Sequence, residues 1–377
     1  MRHQNTVFHT VLKFLPWHVV DRLVERYQAN KKVRRLTTQN QLVALLYAQL
    51  AGAESLRAIE AGLSSHAARL YHLGACEVSR STLADANVKR PCAVFMDLLA
   101  ELMGRCERSV QRLIDATGFR LSALSADWAR FSAGVCGAKL HVVYNPDSAR
   151  PSFAEVTPAN VNDITAAKTM PIKLGGTYVF DLAYYDYGWW ADLDAAGCRI
   201  ITRLKVNTPL VVVAENSVAD GSPILSDRIG HLPARQASSR NNPFQDPVRE
   251  VRVRTESGKI LRIVTNDLDA PAEEIAELYK RRWQIELFFR WIKHTLKIRH
   301  FLGTSENAVR IQIAVALIVF LLLRMAHTAQ SAVISLLTFT RLVARNLMHR
   351  RSIENLLEPP PPLIKDQRQL SLNLCQT

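Results

Sequence analysis

The sequence lacks the features of an exported protein or of a zinc protein. Its six cysteines lie far apart, with no CxxC pair and no Cys/His group at zinc-ligand spacing. They are Cys76, Cys92, Cys106, Cys136, Cys198 and Cys375. The N-terminal segment is interrupted by charged residues and by Pro16, so it has no apolar stretch of the signal-peptide kind. We therefore expect reduced, mostly buried thiols and a cytoplasmic protein.

Long apolar runs are also scarce. The longest, residues 313–323, is bounded by Gln312 and Arg324. A membrane-spanning helix needs about 20 apolar residues, so this run is too short. It predicts a buried core helix and no membrane partner.

Negative charge is in deficit. The chain has 48 Lys and Arg against 34 Asp and Glu, a formal net charge of +14. Such an excess favours a polyanionic partner. A basic protein of the membrane surface would share it, but no long amphipathic segment confines its basic residues to one face. Nucleic acid is therefore the favoured partner.

Residues 1–108 have the apolar periodicity of short helices separated by polar turns. They predict a helical N-terminal domain that binds DNA. Basic residues mark its turns, among them Lys31, Lys32, Arg34 and Arg35. Short helices joined by tight turns can form a helix-turn-helix reader, although most small helical domains with basic edges have other roles.

The pattern after these helices is mixed. Short β-branched runs around one helical segment predict an α/β core over residues 109–196. Further runs over residues 197–266, with long surface loops at 217–247, predict an antiparallel β-rich insertion. Residues 267–347 return to helical patterns that complete the core and add C-terminal helices, and residues 348–377 predict an extended tail. The predicted fold class is α+β or α/β.

Two aspartates are placed as metal ligands would be. Asp115 follows the apolar run VQRLI and Asp181 follows TYVF, so each is predicted at the end of a strand. A carboxylate at a strand end beside other carboxylates can bind magnesium, whereas a lone one usually caps a turn or a helix. For either aspartate taken alone, capping is the simpler interpretation.

One long helical pattern, residues 272–298, carries a third acid. Four residues on it, spaced by 3, 4 and 7, share one face: Tyr279, Arg282, Glu286 and Lys293. An exposed helix with i,i+4 salt bridges would show a similar stripe. Aromatic and apolar residues crowd the same segment, which favours burial and makes a solvated stripe less suitable. A carboxylate flanked by cations is what a site needs when it holds a metal and grips a phosphate backbone.

Together these motifs resemble the DDE transposases of the insertion sequence 4 family. The resemblance is carried by Asp115 in LIDATGF, by Asp181 in YVFDLAYYDYGWW and by the run Tyr279-x2-Arg282-x3-Glu286-x6-Lys293. It extends over most of the chain, because FLPWHVVDRLVERY and SLRAIEAGL resemble the family's N-terminal domain and KLHVVYNP its central β-hairpin.

The resemblance implies a ribonuclease H-like core in which Asp115, Asp181 and Glu286 hold two Mg²⁺ ions, with Mn²⁺ able to substitute. It implies cleavage at the ends of an insertion sequence by water, followed by attack of the new 3′-OH ends on target DNA. The partners would be double-stranded DNA, as terminal inverted repeats and as target, bound by a homodimer in the prokaryotic cytoplasm.

The same resemblance suggests DNA contacts. Arg282 and Lys293 would hold phosphates near the cut bond, and Tyr279 would hydrogen-bond one of them. A core aromatic with a satisfied hydroxyl is the alternative for Tyr279. Trp189 and Trp190 would stack on an unpaired base beside the cut, with core packing as the alternative for at least one of them.

Two other functions stay open on the sequence. A ribonuclease H-like nuclease or resolvase, which hydrolyses DNA without strand transfer, would have the same metal site. A transposase-derived DNA-binding protein without catalysis is suggested by Ala183, where the family usually has a glycine that is free to adopt positive φ. Terminal inverted repeats would favour transposition over the nuclease, and metal-dependent cleavage would exclude the inactive protein.

Overall fold

A computed structural model describes residues 5–104, 110–237, 240–296, 298, 300–330 and 334–356. Cys106, Cys375 and residues 357–377 of the predicted tail lie outside the described residues. The four remaining cysteines are free thiols, as expected, and Cys136 and Cys198 are buried.

Seven helices precede the first strand in the described residues. They are α1 (Val7–Leu12), α2 (Trp17–Arg26), α3 (Thr38–Ala51), α4 (Leu56–Ser64), α5 (Ala67–Leu70), α6 (Arg80–Lys89) and α7 (Cys92–Gly104). Hydroxyl side chains cap four of them, because Thr6, Thr37, Ser55 and Ser79 accept backbone N–H groups of α1, α3, α4 and α6. Gly52 ends α3 with a φ of 69°, a left-handed conformation that favours glycine.

Ten of the twelve described strands form one mixed sheet. The twelve strands are β1 (Gln111–Leu121), β2 (Arg130–Ser132), β3 (Val135–Asn145), β4 (Arg150–Pro158), β5 (Thr177–Val179), β6 (Arg199–Arg203), β7 (Val211–Asn216), β8 (Ile224–His231), β9 (Arg235–Ala237), β10 (Arg240–Asn241), β11 (Val248–Arg254) and β12 (Ile260–Thr265). The sheet order is β2-β3-β1-β5-β6-β12-β11-β8-β7, with β4 also paired to β3, and β9 pairs β10 separately. Only β1, β5 and β6 are paired in parallel. The predicted mixed fold class is confirmed.

Three short helices lie between these strands: α8 (Ala126–Ala129), α9 (Asp163–Ala167) and α10 (Tyr187–Ala195). The β-rich insertion does not form a separate layer but extends the main sheet, because its first strand β6 pairs with β5 of the core and β12 pairs with β6. The prediction of surface loops over residues 217–247 was wrong in part. That stretch contains β8, which is fixed by antiparallel pairing to β7 on one side and β11 on the other.

The C-terminal helices are α11 (Ala272–Lys280), α12 (Trp283–Thr295), α13 (Glu306–Thr328) and α14 (Leu336–Asn346). The single helix predicted over residues 272–298 is broken at Arg281 and Arg282. The N–H of Arg282 donates to the carbonyl of Tyr279, and the N–H of Ile285 donates to the carbonyl of Arg282. These bonds span three residues instead of four, so the chain tightens and turns between α11 and α12.

Helix α13 lies at the centre of the protein. It contacts four of the N-terminal helices, α1, α3, α6 and α7, as well as α12 and α14. Residues 313–323 are all buried, so the predicted core helix is confirmed. By length and composition α13 could cross a membrane, but 78% of its most apolar window is buried inside the protein. One continuous core therefore joins the N-terminal helices to the rest of the chain.

Candidate active site

Asp115 lies in the middle of β1, where the strand changes its neighbours. Parallel pairing with β5 covers only residues 111–113 of β1, while antiparallel pairing with β3 continues to Leu121. The prediction that a strand ends at Asp115 was therefore wrong. The parallel pairing ends just before Asp115, but the strand continues because β3 still supplies hydrogen-bond partners. The Asp115 Oδ1 atom accepts the N–H of Ala116 at 2.8 Å.

Asp181 lies just beyond β5, in the predicted place. Its Oδ1 atom accepts the N–H of Ala183 at 2.8 Å and begins a single 3₁₀ turn, Leu182–Tyr184. Ala183 is not among the residues with positive φ. The turn therefore has no need of a glycine, and Ala183 gives no structural reason to regard the site as inactive.

Glu286 lies in the first turn of α12, which packs on β1. Arg282 precedes it by one turn and joins it to Asp115. The guanidinium donates to Asp115 Oδ2 at 3.3 Å and, at closer range, to Glu286 Oε1. The Arg282 side chain is only 14% exposed, so these ion pairs are well shielded from water. Strand and helix are thus joined by one cation between two of the predicted catalytic acids.

Asp181, the third acid, lies near Asp115 and influences its pKa. Burial raises the pKa of Asp115 from 3.8 to about 6, while the Ala116 N–H and the positive charge of Arg282 oppose that rise. The negative charges of Asp181 and Glu286 raise it further. Leu113 and Val179 are paired in the parallel strands, and Asp115 and Asp181 each lie two residues further along, so the two aspartates are neighbours. Glu286 shares Arg282 with Asp115. Three acids that are distant in sequence are brought together.

Within the described part of the chain, no three His, Cys, Asp or Glu side chains are already converged as ligands of a metal ion. Asp115 and Glu286 turn instead toward the guanidinium of Arg282. Their chemistry nevertheless fits a hard divalent cation, because carboxylate oxygens are its preferred ligands. Burial, and to a smaller extent the charges of Asp181 and Glu286, raise the pKa of Asp115, and a bound cation would favour its ionised form.

Tyr279 is buried at the end of α11, beside the same cation. The guanidinium carbon of Arg282 lies 6.0 Å from the centroid of its ring. Burial raises the pKa of the Tyr279 hydroxyl, and Arg282 and Arg203 oppose the rise. Its hydroxyl is therefore next to two cations, where a phosphate oxygen would also be stabilised.

The sequence analysis missed Arg203. This residue ends β6, two positions beyond Ile201, which is paired in parallel with Val179. Asp181 lies two positions beyond Val179, so Asp181 and Arg203 leave the same edge of the sheet. The signal was the charged residue that closes the run RIITR.

Lys293 lies two turns after Glu286 on α12. Its ammonium group is 5.4 Å from the ring centroid of Phe119. Phe119 follows Asp115 by four residues on β1, so the two side chains point to the same face of the strand. Glu286 and Lys293 of α12 therefore both lie along the face of β1 that carries Asp115 and Phe119.

The suggested stacking of Trp189 and Trp190 on a base does not fit the structure. Their exposed fractions are 2% and 1%, and both indoles pack with Phe180 in an aromatic cluster behind Asp181. The Trp190 indole N–H donates to the carbonyl of Tyr184 at 3.1 Å. Core packing prevails because α10 turns both rings toward the sheet, and they support the turn that carries Asp181.

Tyr184 also escaped the sequence analysis. It is buried in the same turn, and among the described residues its hydroxyl has no hydrogen-bond partner. Its pKa is raised well above the usual 10, mainly by burial and further by the charges of Asp115, Asp163 and Asp181. A buried hydroxyl without a partner beside two site carboxylates can donate to an oxygen that enters the site.

Comparison with known proteins finds two matching families and several relatives. A family described as "Transposase DDE domain" matches residues 108–322, and a "Domain of unknown function (DUF4372)" matches residues 3–76. A Sinorhizobium fredii protein named as a transposase is 41% identical over 290 residues, which is 74% of this chain and 80% of that protein. A Geobacillus stearothermophilus protein named for the insertion sequence element IS5377 is 28% identical over 255 residues, 65% of this chain and 66% of that protein.

The solved piggyBac transposase synaptic complex with hairpin DNA aligns with 98% of this chain and 89% of its own, at 10% identity and a TM-score of 0.49. The family match alone covers more than half of the chain. The chain belongs to the DDE transposases. Relatives named for the insertion sequence elements IS5377 and IS4SA support the insertion sequence 4 family, and the function of the chain is that of a DNA transposase.

Proposed function

We propose that this transposase cleaves DNA at the ends of its insertion sequence and joins the resulting 3′-OH ends to target DNA at one site. Asp115, Asp181 and Glu286 would be the catalytic acids of that site. The observation that carries the proposal is that Arg282 joins Asp115 to Glu286, while Asp115 and Asp181 each lie two residues beyond the paired residues Leu113 and Val179 of adjacent strands. Three separate elements, β1, the turn after β5 and α12, supply the three carboxylates.

The three carboxylates would hold two Mg²⁺ ions. Two such ions, when bound, activate the attacking oxygen and stabilise the leaving one. Arg282 pairs with Asp115 and Glu286 in this structure, and its planar fork matches a phosphate as well as a carboxylate. Arg282, Tyr279 and Lys293 would therefore contact the DNA backbone.

Glu286→Gln tests the proposal. The substitution keeps size and helix propensity but removes the charge, so folding and DNA binding should be retained. Nicking and joining should both fall by at least a hundredfold, because one site performs both. The assay is a gel on duplex DNA carrying the element end, with Mg²⁺, in which bound, nicked and joined products are scored separately.

Glu277→Gln is the matched control. Glu277 is exposed on the neighbouring helix α11, and its loss changes the net charge by the same amount. It should leave nicking and joining near the wild-type level. Substantial nicking by the Glu286→Gln protein would remove Glu286 from the catalytic acids. Nicked products without joined products in the wild-type protein would instead indicate a nuclease.

A further inference from the structure

A second basic surface lies in the N-terminal helices. The loop of residues 28–36 and helix α6 line a common cleft, which is open to solvent. Four cations of the loop are exposed: Lys31, Lys32, Arg34 and Arg35. Within the described residues, Lys32, Arg34 and Arg35 form no ion pair. This cluster of positive charge is not neutralised by the protein, which suits an anionic partner.

The outward face of α6 is unusual for a helix. Its exposed residues are Arg80, Ser81, Thr82, Asp85, Val88 and Lys89. Ser, Thr, Asp and Val are weak helix formers, so helix stability does not account for this face. Every polar side chain on it can hydrogen-bond, and Val88, 57% exposed, offers an apolar contact. These are the groups that distinguish base edges in the major groove.

The loop is fastened to the end of α6 by a buried cation. Arg90 donates to Thr38 Oγ1 at 2.8 Å and to the carbonyl of Leu36, and Thr38 donates to Asn30 Oδ1 at 2.9 Å. Arg90, which follows α6, is therefore a buried link between the helix and the loop and is not part of the basic surface. It fixes the distance between the loop and the helix.

The opposite side of α6 is held by the core. Asn87 Oδ1 accepts from Gln41 of α3 at 2.8 Å, and the carbonyl of Asn87 accepts from Asn307 of α13 at 2.8 Å. The inward face is thus bound to two helices while the outward face stays exposed. A rigid, pre-oriented helix loses little entropy when it binds a partner.

The loop also stores backbone strain. Gln28 and Lys32 have φ angles of 48° and 61°, a left-handed region that non-glycine residues seldom adopt. Such conformations are unfavourable for residues with a side chain and are concentrated at functional sites. Here they turn the chain so that consecutive cations project outward.

We propose that α6 enters the major groove of duplex DNA and reads base edges, while the loop of residues 31–35 contacts the flanking phosphates. The inference rests on the proposed function only in that a transposase must recognise a DNA sequence. An α-helix with its side chains is about 10–12 Å across, which fits a major groove about 12 Å wide. The 10 residues of α6 would extend about 15 Å along that groove. Helix α6 lies between the two matched family segments, which end at residue 76 and begin at residue 108.

The test separates recognition of the base sequence from contact with the phosphate backbone. A random duplex library is selected for binding in EDTA by the wild-type protein and by two variants. The α6 variant is Ser81→Ala/Thr82→Ala/Asp85→Ala, in which alanine favours the helix. The loop variant is Arg34→Gln/Arg35→Gln, and Arg254→Gln/Lys259→Gln is its control, with two exposed cations removed from the β11–β12 hairpin.

Wild-type protein should enrich one sequence. The α6 variant should lose at least tenfold of the preference for that sequence over random duplex, while it keeps non-specific binding. The loop variant should enrich the same sequence and bind every duplex at least tenfold more weakly. Its salt slope should be shallower by about 0.9 for each phosphate that the loop no longer neutralises. The hairpin control should behave as the wild type.

Undiminished preference in the α6 variant would overturn the proposal, as would a loop variant no weaker than its hairpin control. Because selection in EDTA requires no catalysis, these outcomes are independent of the Glu286→Gln experiment. Retained nicking by Glu286→Gln would refute the proposed acids and leave the reading surface intact.

Discussion

The carboxyl group of Asp115 couples folding to pH. Its pKa is raised from 3.8 to about 6, so the folded protein binds this proton more tightly than the unfolded chain. The stability that Asp115 contributes is fully present below about pH 4 and is lost as the pH rises through about 6. The proposed catalytic form is the carboxylate, which bound Mg²⁺ would favour by lowering the pKa of Asp115.

We expect the free energy of unfolding of Asp115→Asn, relative to that of the wild type, to increase by on the order of 2 kcal/mol when the pH is raised from about 4.5 to about 7.5. The Asn side chain does not titrate, so it escapes the cost of the buried charge. Urea unfolding in EDTA at the two pH values measures the difference. Asp127→Asn, at an exposed aspartate of α8, should show no such change, and an equal response of both variants would contradict the buried carboxyl.

Arg282 should set the position of this titration. Its charge lowers the pKa of Asp115, so Arg282→Gln should move the transition to higher pH. Arg282→Lys keeps the charge and should stay closer to the wild type. The measurement is the same pH-dependent unfolding, each Arg282 variant being compared with its own Asp115→Asn double variant. A midpoint that does not move in Arg282→Gln would show that the pair contributes little.

At the scale of elements, the aromatic cluster behind Asp181 is testable with two neighbouring rings. The indole N–H of Trp190 is bonded to the carbonyl of Tyr184, whereas that of Trp189 has no partner among the described residues. Trp190→Phe should therefore cost about 1 kcal/mol more of unfolding free energy than Trp189→Phe. It should also slow nicking, because it loosens the turn that carries Asp181. If urea unfolding showed that both variants lose the same unfolding free energy, the Trp190 hydrogen bond would contribute nothing beyond the packing of the two rings.

The elements show what the sequence could and could not predict. Apolar alternation located β3 and β4, and the motif around Glu286 located α12, because these signals are local. The length of β1 depends on β3, and β8 depends on partners on both sides, so neither could be deduced from its own residues. The break before α12 falls in KRRW, where helix propensity is good. Its arginines pair with Asp147 and Asp115 from distant segments.

At the scale of the whole molecule, the boundary after residue 108 is a change of secondary structure within a shared core. We expect residues 110–377 alone not to fold, because deleting residues 1–104 would expose the faces of α13 that contact α3 and α7. Near-ultraviolet circular dichroism and limited proteolysis would report the loss of packing.

Co-expression supplies the control for this truncation. Residues 1–104 and 110–377 produced together should associate and recover a protease-resistant core, since each supplies the surface that the other lacks. A fragment 110–377 that is folded and monomeric by itself would show that the N-terminal helices are an independent domain. Point variants of α6 are thus a cleaner test of DNA recognition than deletion.

The position of α13 has a consequence for synthesis of the chain. Helices α1–α7 leave the ribosome about 200 residues before α13 is made, a delay on the order of 10–40 s at bacterial elongation rates. Throughout that interval the apolar surface that α13 will cover has no native partner. A chain that terminates early, before residue 306, would not hold α6 by its bond to Asn307. Incomplete chains would hold α6 through α3 and Arg90 but without α13, so they should compete only weakly with finished transposase for the DNA.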